Sequence, residues 1–364
     1  MNSLYYLGLD VHKKSISYCL KLGDGSIAAE GAVRARRKEL EAWVARLPTP
    51  WRGAMEATLF TGWIYDFLLP YAASLEVAHP AMVKAISASK KKNDKIDARK
   101  LADLLRCDLL PVCYMAPPEL RELRRLLRYR NLMVRQAVRM KNKTAGLLME
   151  VGADYNKEKL HQRGYFQDLL ESVEDVPESV KDLLQISRSA ADLFEETQRR
   201  LVLGLLRDPL LQQRVERLRS IRGVGEILAL TWALEVGEPE RFATVGHALS
   251  YCGLTSAQHS SAGQEHRAPI SKQRNKHLQG ILIEAAKVGP LWNPQLKAVH
   301  ERERVRGNAN RATLAVARKL VAYLLAVDRS GKPFEIRSAA ESEAESGEGL
   351  VRQDCANLVL AEQS

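Results

Sequence analysis

Four acidic residues stand where carboxylates could work together. Asp10 ends Leu4–Asp10, a stretch that reads as a buried strand, and Glu56 follows a second short strand, Trp51–Met55. Asp94 and Asp97 lie three apart, so a helix there puts both on one face. Four hard oxygen ligands from separate elements suit one or two Mg²⁺ ions, which activate a nucleophile and stabilise a leaving oxygen in phosphoryl transfer. The alternative is four surface acids, with Asp94 and Asp97 paired to Lys90, Lys91, Lys92 and Arg99. Residues 84–106 hold eight basic and three acidic side chains. Carboxylates set among bases make sense for an anionic substrate: the bases hold phosphates and the acids hold metal. A second chemical candidate is the run Gly253-Leu254-Thr255-Ser256-Ala257-Gln258-His259-Ser260-Ser261-Ala262-Gly263, followed by Arg267, Lys272, Arg274 and Lys276. A hydroxyl among cations and metal ions can be activated to attack phosphorus. A plain Ser/Gly loop is the other reading.

The elements that must position these groups are legible in outline. Alternation predicts further strands over Ser15–Leu22 and Ile27–Val33, a helix over Lys38–Leu47, a helix over Thr61–Tyr71 and a strand over Leu75–Ala78. Strands followed by helices in this order predict an α/β domain with a mixed sheet. From Pro117 to about Glu150 the chain turns helical, with arginines at 121, 124, 125, 128, 130, 135 and 139. Leu126, Met133, Met140 and Leu147 are seven apart, and Leu183, Ile186, Ala190, Leu193 and Thr197 follow steps of three and four. These stripes predict a long antiparallel coiled-coil arm, with an ordinary helical bundle as the alternative. Ile221-Arg222-Gly223-Val224-Gly225 lies between two helical runs. It fits a helix-hairpin-helix turn whose bare backbone N–H groups approach a phosphate, and fits a tight turn as well. The chain is then expected to be helical to about Arg329, interrupted over Gly253–Pro269.

Composition narrows the partner. The 364 residues carry a net charge of +11, yet the tail from Ser338 to Ser364 carries −5, which leaves +16 on residues 1–337. Such a body favours a polyanion, either nucleic acid or an anionic membrane. No apolar run approaches the ~18 residues that span a bilayer. The N-terminus places its charges after its apolar stretch, the wrong order for a signal peptide. Five scattered cysteines without a C-x-x-C pair argue against a disulfide framework and structural zinc, and the eight histidines do not cluster at metal-ligand spacing. A reducing, intracellular compartment is expected. The acidic Ser/Ala/Glu/Gly tail is expected to be disordered, and to weaken stray nucleic-acid binding.

Together these motifs resemble a known family. Leu7-Gly8-Leu9-Asp10-Val11-His12-Lys13, Glu56-Ala57-Thr58 and Asn93-Asp94-Lys95-Ile96-Asp97-Ala98 resemble the N-terminal domain of insertion-sequence-110 (IS110-type) transposases. Leu218–Gly225, then Tyr251-Cys252-Gly253-Leu254-Thr255, His259-Ser260-Ser261-Ala262-Gly263 and Ile270-Ser271-Lys272, resemble the second half of that family in the same order. The likeness covers roughly residues 4–110 and 215–330. One departure is Ser256, where the family usually has proline after Gly-Leu-Thr.

The resemblance, with the periodicity of the arm and the composition of the tail, which lies outside the likeness, gives an expected α/β plus α architecture in four parts. These are a RuvC-like, ribonuclease-H-type catalytic domain over 1–115, a helical coiled-coil arm over 116–214, a mostly helical transposase domain with a helix-hairpin-helix turn over 215–337, and an acidic tail over 338–364. It implies a DNA recombinase in which Asp10, Glu56, Asp94 and Asp97 hold Mg²⁺. Ser261, with Ser260 beside it, forms a phosphoserine link that stores the bond energy for rejoining. Lys91, Lys92, Arg124, Arg128, Arg135, Gly223, Gly225, Arg267 and Lys272 are the candidate nucleic-acid contacts. The implied partners are DNA at element ends and target, a structured guide RNA of the kind some members use, and further copies in a homodimer or homotetramer, with no membrane. The implied place is the bacterial cytoplasm, at the nucleoid. Three rivals remain: a RuvC-like nuclease that hydrolyses branched DNA with water, an actin-like ATPase or sugar kinase, and a non-catalytic nucleic-acid-binding protein. The second lacks its phosphate loop, since Val11-His12-Lys13-Lys14 follow the first acid.

Overall fold

The computed structural model describes residues 4–86, 93–172, 176–261, 264–270 and 273–335, and for 257–269 the backbone alone. Lys91, Lys92, Lys272, the tail and the side chains of Ser261 and Arg267 lie outside the described set. The chain divides into two compact units, residues 1–121 and 122–364.

The first unit runs β1 (Tyr5–Val11), β2 (Ser15–Lys21), β3 (Ile27–Arg34), α1 (Arg37–Val44), β4 (Trp51–Glu56), α2 (Thr61–Leu68), β5 (Ser74–Ala78), α3 (Pro80–Ile86), α4 (Asp94–Arg106) and β6 (Val112–Cys113). Its sheet has the order β3-β2-β1-β4-β5-β6. β1 pairs antiparallel with β2 and parallel with β4, and β4 pairs parallel with β5. Both faces are covered, as parallel strands require. Leu7, Leu9, Met55 and Val77 pack with Leu40, Trp43, Ile64 and Leu68 on one face. Ala54 and Ala78 pack with Leu101, Leu104 and Leu105 of α4 on the other. Gly8 belongs to this second face. A Cβ there would collide with the carbonyl oxygen of Ala98 and lie 2.6 Å from the Ala102 nitrogen. A bare backbone at position 8 therefore lets α4 lie directly on β1. The predicted strands and helices of this unit are present to within a few residues; α3 and the short β6 were not anticipated.

The second unit continues with α5 (Pro118–Glu150, which begins at the end of the first), α6 (Arg163–Ser172), α7 (Glu178–Arg207), α8 (Gln212–Arg219), α9 (Glu226–Val236), α10 (Val245–Tyr251), β7 (Ser256–Ser261), β8 (Gln264–Ile270), α11 (Lys276–Trp292), α12 (Pro294–Val305) and α13 (Ala309–Ser330). Helices α5 and α7 run antiparallel. Arg130 meets Gln198 at 3.1 Å, Lys141 pairs with Glu195, and Leu147 and Leu148 share a core with Leu184. Spacing was read correctly and its phase in part: Met133 and Leu147 of the anticipated α5 stripe are buried, but the α7 stripe is one residue out. On α7 the buried positions are Leu184, Ser187 and Ala191, one residue along from the anticipated stripe, whose Leu183, Ile186 and Leu193 face outward. On α5, Leu127 is buried and Leu126 is exposed. The interruption expected over Gly253–Pro269 is a β-hairpin of β7 and β8. Among the described residues no helix is long and apolar enough to cross a membrane.

Candidate functional site

The carboxylates converge through two local devices. Leu9 of β1 is in register with Met55 of β4, so Asp10 and Glu56 end neighbouring parallel strands. Side chains alternate along a strand, so Asp10, two residues past Gly8, and Glu56, two past Ala54, face α4. Helix α4 brings the other two acids. Asn93 caps it by accepting from the Lys95 amide at 3.1 Å, and Asp94 and Asp97 occupy its first turn. Ion pairs fix the helix over the sheet: Arg99 holds Glu30 of β3 through two bonds of 2.8 Å, and Lys21 of β2 holds Asp103 at 2.6 Å.

The result is a group of three donors. One ligand atom from each of Asp10, His12 and Asp94 lies within 4.8 Å of the others. His12 Nε2 is 3.1 Å from Asp10 Oδ2 and 3.7 Å from Asp94 Oδ2. Burial pushes the Asp10 carboxyl above its ordinary value, His12 pulls it down, and Asp94 and Asp97 push it up again. A half-buried carboxylate with acids beside it is stabilised by a cation, and this oxygen-rich donor set fits a divalent metal. Glu56 and Asp97 fall outside the tight group. Asp97 accepts from Lys100 Nζ at 3.3 Å, and the Glu56 carbonyl accepts from Thr61 Oγ1 at 3.0 Å. His12 was missed among the site residues. The signal was its spacing: two residues after Asp10, at the end of the same strand.

The bases around Asp94 are less available than their number suggested, because Arg99, Lys100 and Arg106 are engaged inside the unit. The same correction applies to the arm. Arg124 Nε donates to the Leu234 carbonyl at 2.7 Å, and Arg128 grips Glu235 through two bonds of 2.8 Å. Both were assigned to nucleic acid. Within the unit Arg128 pairs with a carboxylate only 1% exposed, which would be costly to bury unpaired, and Arg124 stands 3.9 Å from it. Arg125, Arg135 and Arg139 remain exposed on α5.

Gly223 and Gly225 form the turn between α8 and α9. Gly223 has φ +97°, which strains any side chain, and a Cβ there would stand 3.1 Å from the Gly289 Cα, so backbone conformation and close packing together favour glycine. Gly225 precedes α9 with no side chain capping it. Ser261 is the last residue of β7, paired with Gln264, and so stands at the outer end of the hairpin. Gly253 at the hairpin's root has φ +69°, and a Cβ there would lie 2.7 Å from Arg274 Cδ.

Comparison with known proteins finds similarity to transposases. A family model described as a transposase, of the DEDD IS110 type, matches residues 7–152. A second, described as the transposase IS116/IS110/IS902 family, matches residues 215–301. The transposase for insertion sequence element IS1111A of Coxiella burnetii is 26% identical over 346 residues, covering 88% of each chain. The transposase for element IS1328 of Yersinia enterocolitica is 23% identical over 299 residues, 79% of this chain and 84% of that one. A probable family 20 transposase of Pseudomonas aeruginosa is 26% identical over 204 residues, 54% of this chain and 60% of that protein.

Proposed function

Because the chain belongs to the IS110 family of transposases, we propose that it cuts and rejoins DNA at the ends of an insertion sequence. The observation that carries the reading is the convergence of Asp10, His12 and Asp94 at the end of β1, in a chain whose two halves match transposase models in order. Asp10 and Asp94 would hold a divalent metal, with Mg²⁺ the natural occupant of an oxygen-rich site, and Glu56 and Asp97, outside the tight group, would be its further ligands. When bound, the metal supplies charge neutralisation at the scissile phosphate.

Ser261 is the proposed nucleophile. Its Oγ attacks phosphorus and loses its proton. A serine–phosphate ester forms as the ester to the departing sugar oxygen breaks, and that oxygen takes up a proton. One phosphodiester replaces another, so the link is conserved in energy and a second DNA hydroxyl can reverse the step without ATP. Gly225 and the first turn of α9 offer backbone N–H groups to a DNA phosphate, and Arg135 offers a guanidinium. We assign the partners as DNA, further copies of the chain and a structured guide RNA encoded beside the gene.

Incubating the protein with duplex DNA that spans the element boundary tests the reading. Strand joining should depend on divalent metal and disappear in both Asp10→Asn and Ser261→Ala. Cleavage that survives in Ser261→Ala would assign attack to water and make the protein a RuvC-like nuclease. Sequencing the nucleic acid that copurifies with the protein tests the RNA: an element-encoded transcript is expected, and its absence would remove the guide from the account.

A further inference from the structure

The hairpin that carries Ser261 is a long lever on a narrow base. Its two strands form a sheet of their own. At ~3.4 Å per residue, β7 spans about 17 Å from Ser256 to Ser261. A tilt of about 10° at the root would move the tip by about 3 Å, where a displacement of ~1 Å from an attack geometry already costs about 100-fold in rate. Two-stranded hairpins are marginal by themselves, so the helices at the root of this one help to set its direction.

Both junctions meet at one buried residue, Glu235. Tyr251 ends α10 five residues before β7, and Asn275 caps α11 five residues after β8. The Asn275 amide donates to the Tyr251 carbonyl at 2.9 Å, which closes the root. Asn275 Nδ2 donates to Glu235 Oε2 at 2.9 Å and lies 3.2 Å from the Tyr251 hydroxyl. That hydroxyl in turn donates to the Glu235 carbonyl at 2.8 Å. The Arg241 guanidinium lies 4.4 Å over the Tyr251 ring and fixes its plane. On its other side Glu235 receives the two bonds from Arg128 of α5, with Arg124 at 3.9 Å. One residue thus touches the arm helix and the exit of the hairpin through its carboxylate, and the entry through its backbone carbonyl.

We infer that Glu235 is a positioning residue: through Asn275 and Tyr251 it aims the Ser261 hairpin, and through Arg128 it ties that aim to helix α5. This rests on the assignment of Ser261 as nucleophile, but the mechanical part can be tested without it. A carboxylate whose only duty was to neutralise arginine would need no second contact with Asn275 at the exit of a hairpin.

Hydrogen exchange on the full-length protein decides the mechanical part. In Glu235→Gln, and in Asn275→Asp, which keeps the helix cap but loses the donor to Glu235, amides of 256–261 and 264–270 should exchange at least about tenfold faster. Amides of α9 and α11 should stay within about twofold of wild type. The double variant Arg128→Met/Glu235→Met separates positioning from charge burial. Replacing a buried pair by apolar side chains restores stability, so its melting temperature should return while the hairpin stays fast-exchanging. Unchanged hairpin exchange in Glu235→Gln, or full recovery of hairpin protection in the double variant, overturns the inference.

The chemical readout uses the boundary-spanning duplex at saturating concentration. All three variants should form the covalent protein–DNA link at least about tenfold more slowly, with DNA affinity within about twofold of wild type. A wild-type link rate in variants with a loosened hairpin also overturns the inference. A wild-type protein that forms no link through Ser261 would instead sink the functional assignment, and the exchange result would still decide the positioning claim.

Discussion

The carboxylates of the first unit and the serine of the second are held in opposite ways. Asp10 and Asp94 sit on elements that are themselves the core: a central strand covered on both faces, and a helix pressed onto it at Gly8 and riveted by Arg99 and Lys21. Ser261 ends the first strand of a hairpin whose described hydrogen-bond partners lie at its root. A site that binds metal gains from rigidity, because donors that cannot relax keep their affinity. A nucleophile that attacks, holds and releases a DNA strand gains from standing clear of the core, at the cost of depending on its root. The first site should therefore fail through packing and the second through polar contacts.

Four substitutions would break that contrast if it is wrong. The largest effect is expected at Gly8. Gly8→Ala forces α4 away from β1 and should cost about 3 kcal/mol in unfolding free energy by urea titration, with metal binding lost in proportion. Next is Asp10→Asn. Asp10 is pushed up by burial and by its acidic neighbours, so the charged form is disfavoured by folding. In chelator the variant should melt at or above the wild-type temperature while metal-dependent strand joining falls by at least ~100-fold. A lower melting temperature would mean the acid is structural.

In the second unit, Arg128→Ala leaves Glu235 without its bidentate partner. The cost should be about 2 kcal/mol, discounted from that of a fully buried pair because Arg128 is half exposed and Arg124 remains nearby. The smallest effect belongs to Arg135→Ala on the exposed side of the same helix. Stability should hold, while DNA affinity falls and the salt dependence of binding loses about one unit of slope. Equal behaviour of Arg128 and Arg135 in both assays would erase the distinction between paired and outward arginines on α5. Acid adds a further check. Burial raises the Glu235 carboxyl, but the Arg128 bonds and charge outweigh it and leave it below its ordinary value. Its stabilisation is then present above the ordinary carboxylate range and lost as pH falls through the lowered value. Glu235→Gln should flatten that acid limb of the stability curve.

Much of this was legible in residue order. Strand alternation around Asp10 and Glu56, and the helix that carries Asp94 and Asp97, follow from local periodicity, and the sheet forms where that pattern put it. What was not legible depends on phase and on long-range partners. Spacing along α5 and α7 gave the repeat, but whether Leu126 or Leu127 turns inward is decided by the helix it meets. Arg124 and Arg128 look like outward bases until α9, more than a hundred residues on, supplies Glu235 and the Leu234 carbonyl. The serine segment reads as a loop because small polar residues seldom make strands. Here β8 supplies the partner that turns Ser256–Ser261 into one.

The central claim is that Ser261 becomes joined to DNA. The direct measurement is to trap the protein on boundary-spanning duplex DNA, digest both, and map the modified peptide by mass spectrometry. A phosphodiester on Ser261, formed only with divalent metal and absent in Asp10→Asn, is the expected result. A link on another residue, or cleaved DNA with no protein attached, would contradict the account.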